Sequence, residues 1–183
     1  MAPVINQRPY FANRIAHIIR AGQIGNRQSI QIRHHHPQSA MISVRIKRLS
    51  ASVQLPRYES EGAAAFDLSA AADVTVEAGQ VALIPTGLVI EVPPGMFLGI
   101  FARSSTPLKR GLMVANGVGI VDQDYCGPDD EVKIAVLNFT SAPVRVAAGD
   151  RLAQGMLLPV TRVRWEETQV LRDQSRGGFG STD

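Results

Sequence analysis

Acidic, glycine and aromatic residues fall close together in the segment ANGVGIVDQDYCG, Ala115–Gly127. A carboxylate such as Asp122 or Asp124 can take a proton from water as a general base. Glycine lets the backbone approach a planar ligand closely, and Tyr125 could stack on a sugar or a base. The segment therefore predicts a hairpin with a carboxylate at its base and a hydrolytic site, while an ordinary polar turn is the open alternative.

The segment ARSSTPLKRG, Ala102–Gly111, carries groups suited to phosphate. The guanidinium of Arg103 is a planar fork of N–H donors, and Ser104 and Ser105 add hydroxyl groups. Because an apolar run precedes them, a strand that ends here and turns into a short helix would direct free backbone N–H groups at an anion. On its own, this loop is a weak signal of phosphate binding.

Two further segments place a polar side chain within an apolar run. Asp67 lies between Phe66 and Leu68, so on a strand it points to the opposite face, where it is either exposed to solvent or able to orient a metal-bound water. Gln154 lies in the apolar run after Gly149, and its amide needs a hydrogen-bonding partner if it is buried.

The chain ends in the glycine-rich stretch SRGGFGSTD, Ser175–Asp183. Such a tail is usually disordered. Its arginine, its two hydroxyl residues and Phe179 also suit it to close over a phosphate, with the aromatic ring stacked on a base. It is not a Walker A loop, because the sequence lacks the pattern GxxxxGK[ST].

The elements that must position these residues are short apolar runs separated by glycine and proline. Met96–Ala102 and Val132–Phe139 are predicted strands, and Ile42–Leu49 alternates apolar and polar residues as a half-buried strand does. Hydrophobic residues make up 45% of the chain and aromatic residues only 5%, so the core must consist mainly of Val, Ile, Leu and Ala. The pattern predicts an all-β sandwich or barrel.

Charge divides the chain into a basic leader and an acidic body. Residues 1–57 contain nine Lys or Arg and no acid, whereas residues 58–183 contain ten Lys or Arg against sixteen Asp or Glu, a net charge of −6. We expect a basic leader over residues 1–40, a β-domain over 41–170 and a flexible arm over 171–183. The leader is interpreted as an unstructured extension or a start codon assigned too early; a transit peptide or a basic arm for nucleic acid or phospholipid are the alternatives.

The acidic body argues against nucleic-acid binding, which needs a basic surface. The single cysteine, Cys126, excludes an intramolecular disulfide and a multi-cysteine zinc site, and favours a reducing compartment. No apolar run reaches the roughly 18 residues that a membrane span requires. We therefore expect a cytoplasmic protein with no membrane or nucleic-acid partner; organellar targeting by residues 1–40 is the alternative.

Taken together and in this order, the five segments resemble the five motifs of trimeric dUTPases. The resemblance extends over about residues 41–182, and its most specific parts are the segment around Asp122 and the GGFGST tail. It implies a jelly-roll-like β-sandwich, a homotrimer with C-terminal arm exchange, and three active sites at the subunit interfaces. The implied reaction is hydrolysis of dUTP to dUMP and diphosphate with Mg²⁺, which supplies dUMP for thymidylate synthesis and keeps uracil out of DNA.

The resemblance also implies how the reaction would be catalysed. Asp122 would be the general base for the water that attacks the α-phosphorus, a contribution of ~10²–10⁴-fold when the carboxylate is well placed. Asp67 would contact the metal through water, while Mg²⁺ would be held mainly by the substrate phosphates. The phosphates would be bound by Arg103, Ser104, Ser105 and Gln154.

Specificity for deoxyuridine would come from the backbone and from aromatic rings. The uracil edge would be read by Asn116, Gly119, Ile120, Val121 and Asp122. Tyr125 would lie under the deoxyribose and exclude a 2′-hydroxyl, the tight hairpin would exclude the 5-methyl of thymine, and cytosine would leave buried polar groups unpaired. The arm would close with Phe179 over the uracil and would bind substrate through Arg176, Phe179, Gly180 and Ser181.

The sequence departs from the family pattern in two places. The stretch CGPDDEVK, residues 126–133, carries about two extra residues, which lengthen the turn after Tyr125 and leave Lys133 facing the substrate. Gln174 stands where the family has an arginine, so we expect Arg176 to substitute for that arginine from a shorter loop.

Two other functions remain open: a dCTP deaminase of related fold, and a dUTPase-like regulatory or binding protein. The segment around Asp122 and the closing tail favour dUTPase over the deaminase. The intact set of Asp122, Asp67 and Arg103 argues against loss of activity.

Overall fold

A computed structural model of the chain describes residues 42–177, which form a predominantly β structure. The strands and the helix of this range have the following bounds: β1 Ile46–Arg48, β2 Phe66–Ser69, β3 Val74–Val76, β4 Val81–Pro85, β5 Leu88–Ile90, β6 Met96–Ala102, α1 Ser105–Arg110, β7 Leu112–Val114, β8 Gly119–Val121, β9 Lys133–Asn138, β10 Val144–Val146 and β11 Arg151–Pro159.

The strands of the described range pair antiparallel, and most partners are distant in sequence. One sheet has the order β2–β11–β6–β8 and a second has the order β4–β9–β7; β1 pairs with β5, and β10 with β3. Because the chain crosses repeatedly between sheets instead of forming successive hairpins, the topology is that of a jelly-roll-like β-sandwich. The prediction of an all-β fold of this type is confirmed.

The core of the sandwich is aliphatic, as the composition predicts. Burial of such side chains contributes roughly 25 cal/mol per Å² and is the main source of stability. The largest fully buried apolar side chains include Leu68, Ile84, Leu98, Leu112, Ile134 and Leu152.

The elements that frame the predicted site lie close to their expected positions. The strand β6 coincides with the predicted strand Met96–Ala102, and β9 falls within Val132–Phe139. The short helix expected after β6 is α1, which ends at Arg110 because the next residue, Gly111, adopts the left-handed conformation with φ of 65°. Within residues 42–177, no helix combines the length and the apolar character needed to cross a membrane.

Two local predictions are wrong. Only Ile46–Arg48 of the predicted strand Ile42–Leu49 is a strand, because its partner β5 is equally short. The segment Ala115–Gly127 is not a hairpin: β7 pairs with β9, whereas β8 pairs with β6 in the other sheet. The turn at Gly117, with φ of 71°, therefore carries the chain from one sheet to the other.

Candidate active site

A cleft of about 350 Å³ beside β8 gathers most of the residues predicted to contact the base and the sugar. The predicted residues that line it are Asn116, Gly119, Ile120, Val121, Asp122, Tyr125 and Lys133. The sequence analysis missed its remaining walls, which are Leu83, Ile100, Glu131 and Val132. Those walls come from or adjoin β4, β6 and β9, and nothing in the sequence signals that these strands meet at β8.

The strand β8 lies at the edge of its sheet. It pairs on one side with β6, with Gly119 opposite Ile100 and Val121 opposite Leu98, and no strand of the described range pairs with its other side. A Cβ at Gly119 would lie 3.0 Å from Cβ of Ile100, so the close approach of the two strands favours glycine here. The free edge of a strand presents unpaired N–H and C=O groups, which can bind a ligand.

Asp122 directly follows β8 and is exposed where it lines the cleft. Its backbone carbonyl accepts a hydrogen bond from the Tyr125 N–H at 3.3 Å, and Gln123 Nε2 donates to the Met96 carbonyl at 3.2 Å. No side chain in the described range forms a hydrogen bond or an ion pair with the Asp122 carboxylate. The backbone is thus held while the carboxylate stays accessible to water.

The turn after Tyr125 is fixed by its own contacts. The N–H of Gly127 donates to Asp130 Oδ2 at 2.7 Å, and Lys47 Nζ donates to the Pro128 carbonyl at 2.9 Å. This turn is therefore anchored to β1.

Asp67 is the centre of a second polar cluster. Its Oδ1 accepts from Arg103 Nε at 2.9 Å and from Gln154 Nε2 at 3.3 Å, and its Oδ2 accepts from Arg151 at 3.0 Å. The Asp67 side chain is only 4% exposed. The interpretation of Asp67 as a solvent-exposed carboxylate is wrong, because β2 pairs with β11 and places Gln154 directly opposite it. Gln154 has the partner that its position requires.

Arg151, the first residue of β11, also belongs to this cluster. It contacts Glu59 Oε2 at 2.8 Å in addition to Asp67, and its backbone carbonyl accepts from Arg103 at 3.3 Å. Only the register between β2 and β11 brings these groups together, so the sequence carries no signal for it.

The two serines predicted to bind phosphate, Ser104 and Ser105, lie at the start of the helix α1. Ser104 is exposed and its side chain does not cap the helix, while Ser105 is half-buried as the first helical residue. At the other end of the helix, Arg110 donates two hydrogen bonds to Asp150, at 2.6 and 2.7 Å. This contact lowers the pKa of the Asp150 carboxyl and ties the helix to the turn before β11.

The two clusters lie at opposite ends of the same sheet. Arg103 follows the last residue of β6, whereas the register of β8 places Asp122 beside the first residues of β6. About six residues of strand separate the two positions, which corresponds to about 20 Å. Within one chain, Asp122 and Arg103 therefore cannot contact the same small phosphate group.

The described residues offer little for direct binding of a metal. Within residues 42–177, no group of three or more His, Cys, Asp or Glu side chains is arranged to hold an ion. Asp67 already accepts three hydrogen bonds, and a carboxylate has about four acceptor positions. The donor set thus fits one water-mediated contact to a cation that is held mainly by another molecule.

The last predicted site residues belong to the C-terminal arm. Arg176 is exposed, as are the residues from Val160 onward in the described range. Trp165 and Leu171 are each 89% exposed, so their apolar side chains lie away from the core of their own chain. Phe179, Gly180 and Ser181 lie outside the described residues.

Comparisons of sequence identify close relatives. The family model described as dUTPase matches residues 51–183. The deoxyuridine 5′-triphosphate nucleotidohydrolase of Methylocella silvestris is 42% identical over 152 residues, which cover 79% of this chain and 93% of that protein. The protein of the same name from Desulfitobacterium hafniense is 44% identical over 151 residues, which cover 78% and 98%.

Comparisons of structure agree with this result. The dUTPase from Streptococcus mutans has a TM-score of 0.62 and 31% sequence identity, with 68% of this chain and 100% of that chain covered. The Staphylococcus bacteriophage 80alpha dUTPase with dUPNHPP has a TM-score of 0.67 at 20% identity, with 78% and 99% covered. The second likeness concerns the fold alone.

Proposed function

This chain belongs to the dUTPase family and is a dUTP diphosphatase, and we propose that its hydrolytic centre is the cleft beside β8, with Asp122 as the general base. The observation that carries the proposal is the single cleft in which Asp122, the free edge of β8 and the ring of Tyr125 come together. These are the three groups that hydrolysis at a deoxyuridine nucleotide requires: a base for water, a reader for uracil and a platform for the sugar.

The chemistry follows from the position of Asp122. Its carboxylate takes a proton from a water molecule, whose oxygen forms a new bond to the α-phosphorus. The bond from the α-phosphorus to the oxygen that bridges it to the β-phosphorus breaks, and that oxygen leaves with the diphosphate. An exposed carboxylate on a fixed backbone suits this role, because it can reach both water and substrate.

The free edge of β8 supports recognition of uracil. Uracil presents an N–H group between two carbonyl oxygens, and the edge of a strand presents N–H and C=O groups that can pair with such a pattern. Cytosine has an acceptor in place of that N–H and a donor in place of one carbonyl. Binding of cytosine would leave polar groups unpaired within the cleft, at a large cost in affinity.

The Asp67 cluster supports a role in phosphate binding. Asp67 contacts both Arg103 and Gln154 and so holds them side by side. Within the chain, Arg103 contacts Asp67 through its Nε atom and the Arg151 carbonyl through its NH1 atom. We assign the phosphates to Arg103, Ser104, Ser105 and Gln154, with Mg²⁺ held mainly by triphosphate oxygens and Asp67 reaching it through one water. Bound in this way, Mg²⁺ supplies positive charge that stabilises the charge developing on the phosphates.

A homotrimer with shared sites is the assembly that fits the separation of about 20 Å between Asp122 and Arg103. If one chain supplies the base cleft, another copy must supply the phosphate cluster. The outer face of the sheet β4–β9–β7 is apolar and exposed through Val81, Leu83 and Met113, as expected for a surface that another copy covers. Leu83 also lines the base cleft, so this apolar face continues into the proposed site.

The C-terminal arm completes the proposal. The exposed side chain of Leu171 in the arm, and that of Trp165 just before it, suit packing on a neighbouring subunit. We expect Arg176 to bind the terminal phosphates, and Phe179, Gly180 and Ser181 remain predicted contacts of the closed arm. Unchanged turnover and KM in Arg176→Ala would remove Arg176 from the site.

The one cysteine of the chain is exposed, and a location in the reducing cytoplasm suits it.

Diphosphate release from dUTP, measured beside dCTP, dTTP and UTP, tests the proposed function. The wild-type chain should prefer dUTP, and Asp122→Asn should lower kcat by ~10²–10⁴-fold because a well-placed base is lost. Asp124→Asn is the matched control: Asp124 lies two residues further on, does not line the cleft, and should leave the rate close to wild type. Equal rates for wild type and Asp122→Asn would overturn the mechanism, and ammonia release from dCTP would indicate the deaminase instead.

A further inference from the structure

Glu131 connects separate parts of the base cleft, although neither the sequence nor the proposed mechanism gives it a role. Its backbone carbonyl accepts a hydrogen bond from the phenol of Tyr125 at 3.2 Å. Its Oε1 accepts from the N–H of Gly87 at 2.7 Å, and its Oε2 lies 3.9 Å from Lys133 Nζ. The Glu131 side chain is only 16% exposed, so its hydrogen bond with Gly87 is partly shielded from solvent.

The carbonyl that binds Tyr125 has a fixed direction. It belongs to the same planar peptide unit as the N–H of Val132, which donates to the Leu88 carbonyl at 2.8 Å. The side chain of Glu131 fixes the preceding part of the backbone by binding Gly87, one residue before Leu88. Two adjacent contacts with the start of β5 therefore set where the phenol of Tyr125 must point.

Gly87 is a rigid anchor for this arrangement. Its φ is 68°, in the left-handed region, and a Cβ at this position would overlap the side chain of Val53. Its own carbonyl accepts from the N–H of Leu49 at 2.9 Å. Because Gly87 is held on both sides, the Glu131 carboxylate is bound to a part of the chain that does not move with the turn after Tyr125.

We propose that Glu131 is a positioning residue that sets the selectivity for deoxyribose by holding the ring of Tyr125 in place. This inference rests on the proposed function, in which Tyr125 lies under the sugar. A ring tethered at its hydroxyl cannot turn aside to make room for a 2′-hydroxyl, whereas an untethered ring can. Loss of the tether should therefore admit UTP more than it impairs dUTP.

The test is the ratio of kcat/KM for dUTP to kcat/KM for UTP. Tyr125→Phe removes the donor and Glu131→Ala releases the backbone that carries the acceptor. Each should lower the ratio by about tenfold, the factor that corresponds to one hydrogen bond of about 1.4 kcal/mol. The change should appear mainly as a lower KM for UTP.

Two further variants separate positioning from general damage. Glu131→Gln keeps an oxygen that can accept from Gly87, so it should retain the wild-type ratio. The double variant Tyr125→Phe/Glu131→Ala should lose no more than either single variant, because both break the same connection. Glu77→Ala, at an exposed glutamate after β3, is the matched control, and thermal unfolding of every variant verifies that it is folded.

The outcomes distinguish the inference from the function on which it rests. If the wild-type chain does not hydrolyse dUTP, the proposed function fails. If it does, and Tyr125→Phe keeps the wild-type ratio, the inference is overturned; independent, multiplicative losses in the double variant would overturn it as well. If Glu131→Ala does not fold, the ratios of the other two single variants still test the inference. The ratio should fall in Tyr125→Phe and stay at the wild-type value in Glu131→Gln.

Discussion

Two aspartates of this chain have opposite surroundings, and their surroundings match the work assigned to them. Asp122 is exposed on a fixed backbone, whereas Asp67 is buried and has its oxygens occupied by two arginines and a glutamine. A buried carboxylate with cationic partners organises those partners, and an exposed one remains available to water. Asp67 is thus a positioning residue for Arg103 and Gln154, in addition to any contact with a cation through water.

Asp67→Asn should weaken both stability and substrate binding. The amide cannot accept from Arg103, Gln154 and Arg151 together, so positive charge is left without its partner. We expect a loss of about 2 kcal/mol in the free energy of unfolding, a value reduced because Arg151 is partly exposed. Urea denaturation measures this loss, and steady-state kinetics should give a raised KM for dUTP.

Titration with Mg²⁺ separates the two roles of Asp67. If Asp67 mainly orients Arg103 and Gln154, excess Mg²⁺ should not restore the KM of Asp67→Asn. Full restoration at high Mg²⁺, with unchanged stability, would show that the carboxylate acts on the metal alone.

At the level of residues, the sequence indicates which groups carry chemistry but not which of them meet. Asn116, Gly119, Asp122 and Tyr125 belong to one continuous segment, so their common cleft follows from local spacing. Glu131 and Arg151 are missed because their contacts depend on strand register, which no local pattern encodes.

The helix α1 shows how an element can position a site that it does not itself line. Its last residue, Arg110, binds Asp150 through both carboxylate oxygens, and Asp150 also accepts from the N–H of Ala147 at 2.8 Å. The contact between Arg110 and Asp150 joins the helix α1 to the turn that precedes β11. It therefore holds together the two segments that carry Arg103 and Gln154.

Asp150→Asn should destabilise the chain in a way that depends on pH. The contact with Arg110 lowers the pKa of Asp150 from its usual value near 3.8, so the ionised carboxylate stabilises the folded state above about pH 4. This stabilisation is lost as pH falls through the lowered folded-state pKa. At neutral pH the variant should lose about 1–2 kcal/mol in the free energy of unfolding, and its difference from wild type should shrink below about pH 4.

Urea denaturation of wild type and Asp150→Asn at neutral and acidic pH measures this effect. Asp73→Asn is a matched control: Asp73 also has a lowered pKa through Arg145, but the pair is exposed, so the loss should be much smaller. A difference between wild type and Asp150→Asn that stays constant with pH would contradict the assignment.

Among the elements, those with strong apolar patterns are predicted well. Met96–Ala102 and Val132–Phe139 contain β6 and β9, which are inner strands of their sheets and place apolar side chains in the core. The segment Ala115–Gly127 fails as a hairpin because its strands are short and pair with different sheets. Short strands take their partners from the tertiary fold, which local pattern does not determine.

At the scale of the whole molecule, the separation of the base cleft from the Asp67 cluster predicts complementation between inactive subunits. Asp122→Asn lacks the base and Arg103→Ala lacks a phosphate contact, so each homotrimer should be inactive. The two variants are then mixed under conditions that exchange subunits. In random cyclic trimers, about a quarter of all active sites should receive an intact Asp122 from one chain and an intact Arg103 from another. Diphosphate release from dUTP measures the recovery.

The control for this experiment uses two defects in the same cluster. In a mixture of Arg103→Ala with Gln154→Ala, every chain carries one defect in the phosphate cluster. If both residues act in one site from the same chain, no site receives an intact cluster, so this mixture should recover less activity than the first. No recovery from Asp122→Asn with Arg103→Ala, despite verified subunit exchange, would show that each site is built from one chain.

The open edge of β8 has a consequence for solubility. An unpaired strand edge is a template on which other chains can add strands and aggregate. Here the exposed edge spans only three residues and ends at the negative charge of Asp122. Short length and an adjacent charge are the means by which β-proteins prevent such growth. The carboxylate that we propose as the general base thus also protects the open edge, which we propose to bind uracil, from pairing with a foreign strand.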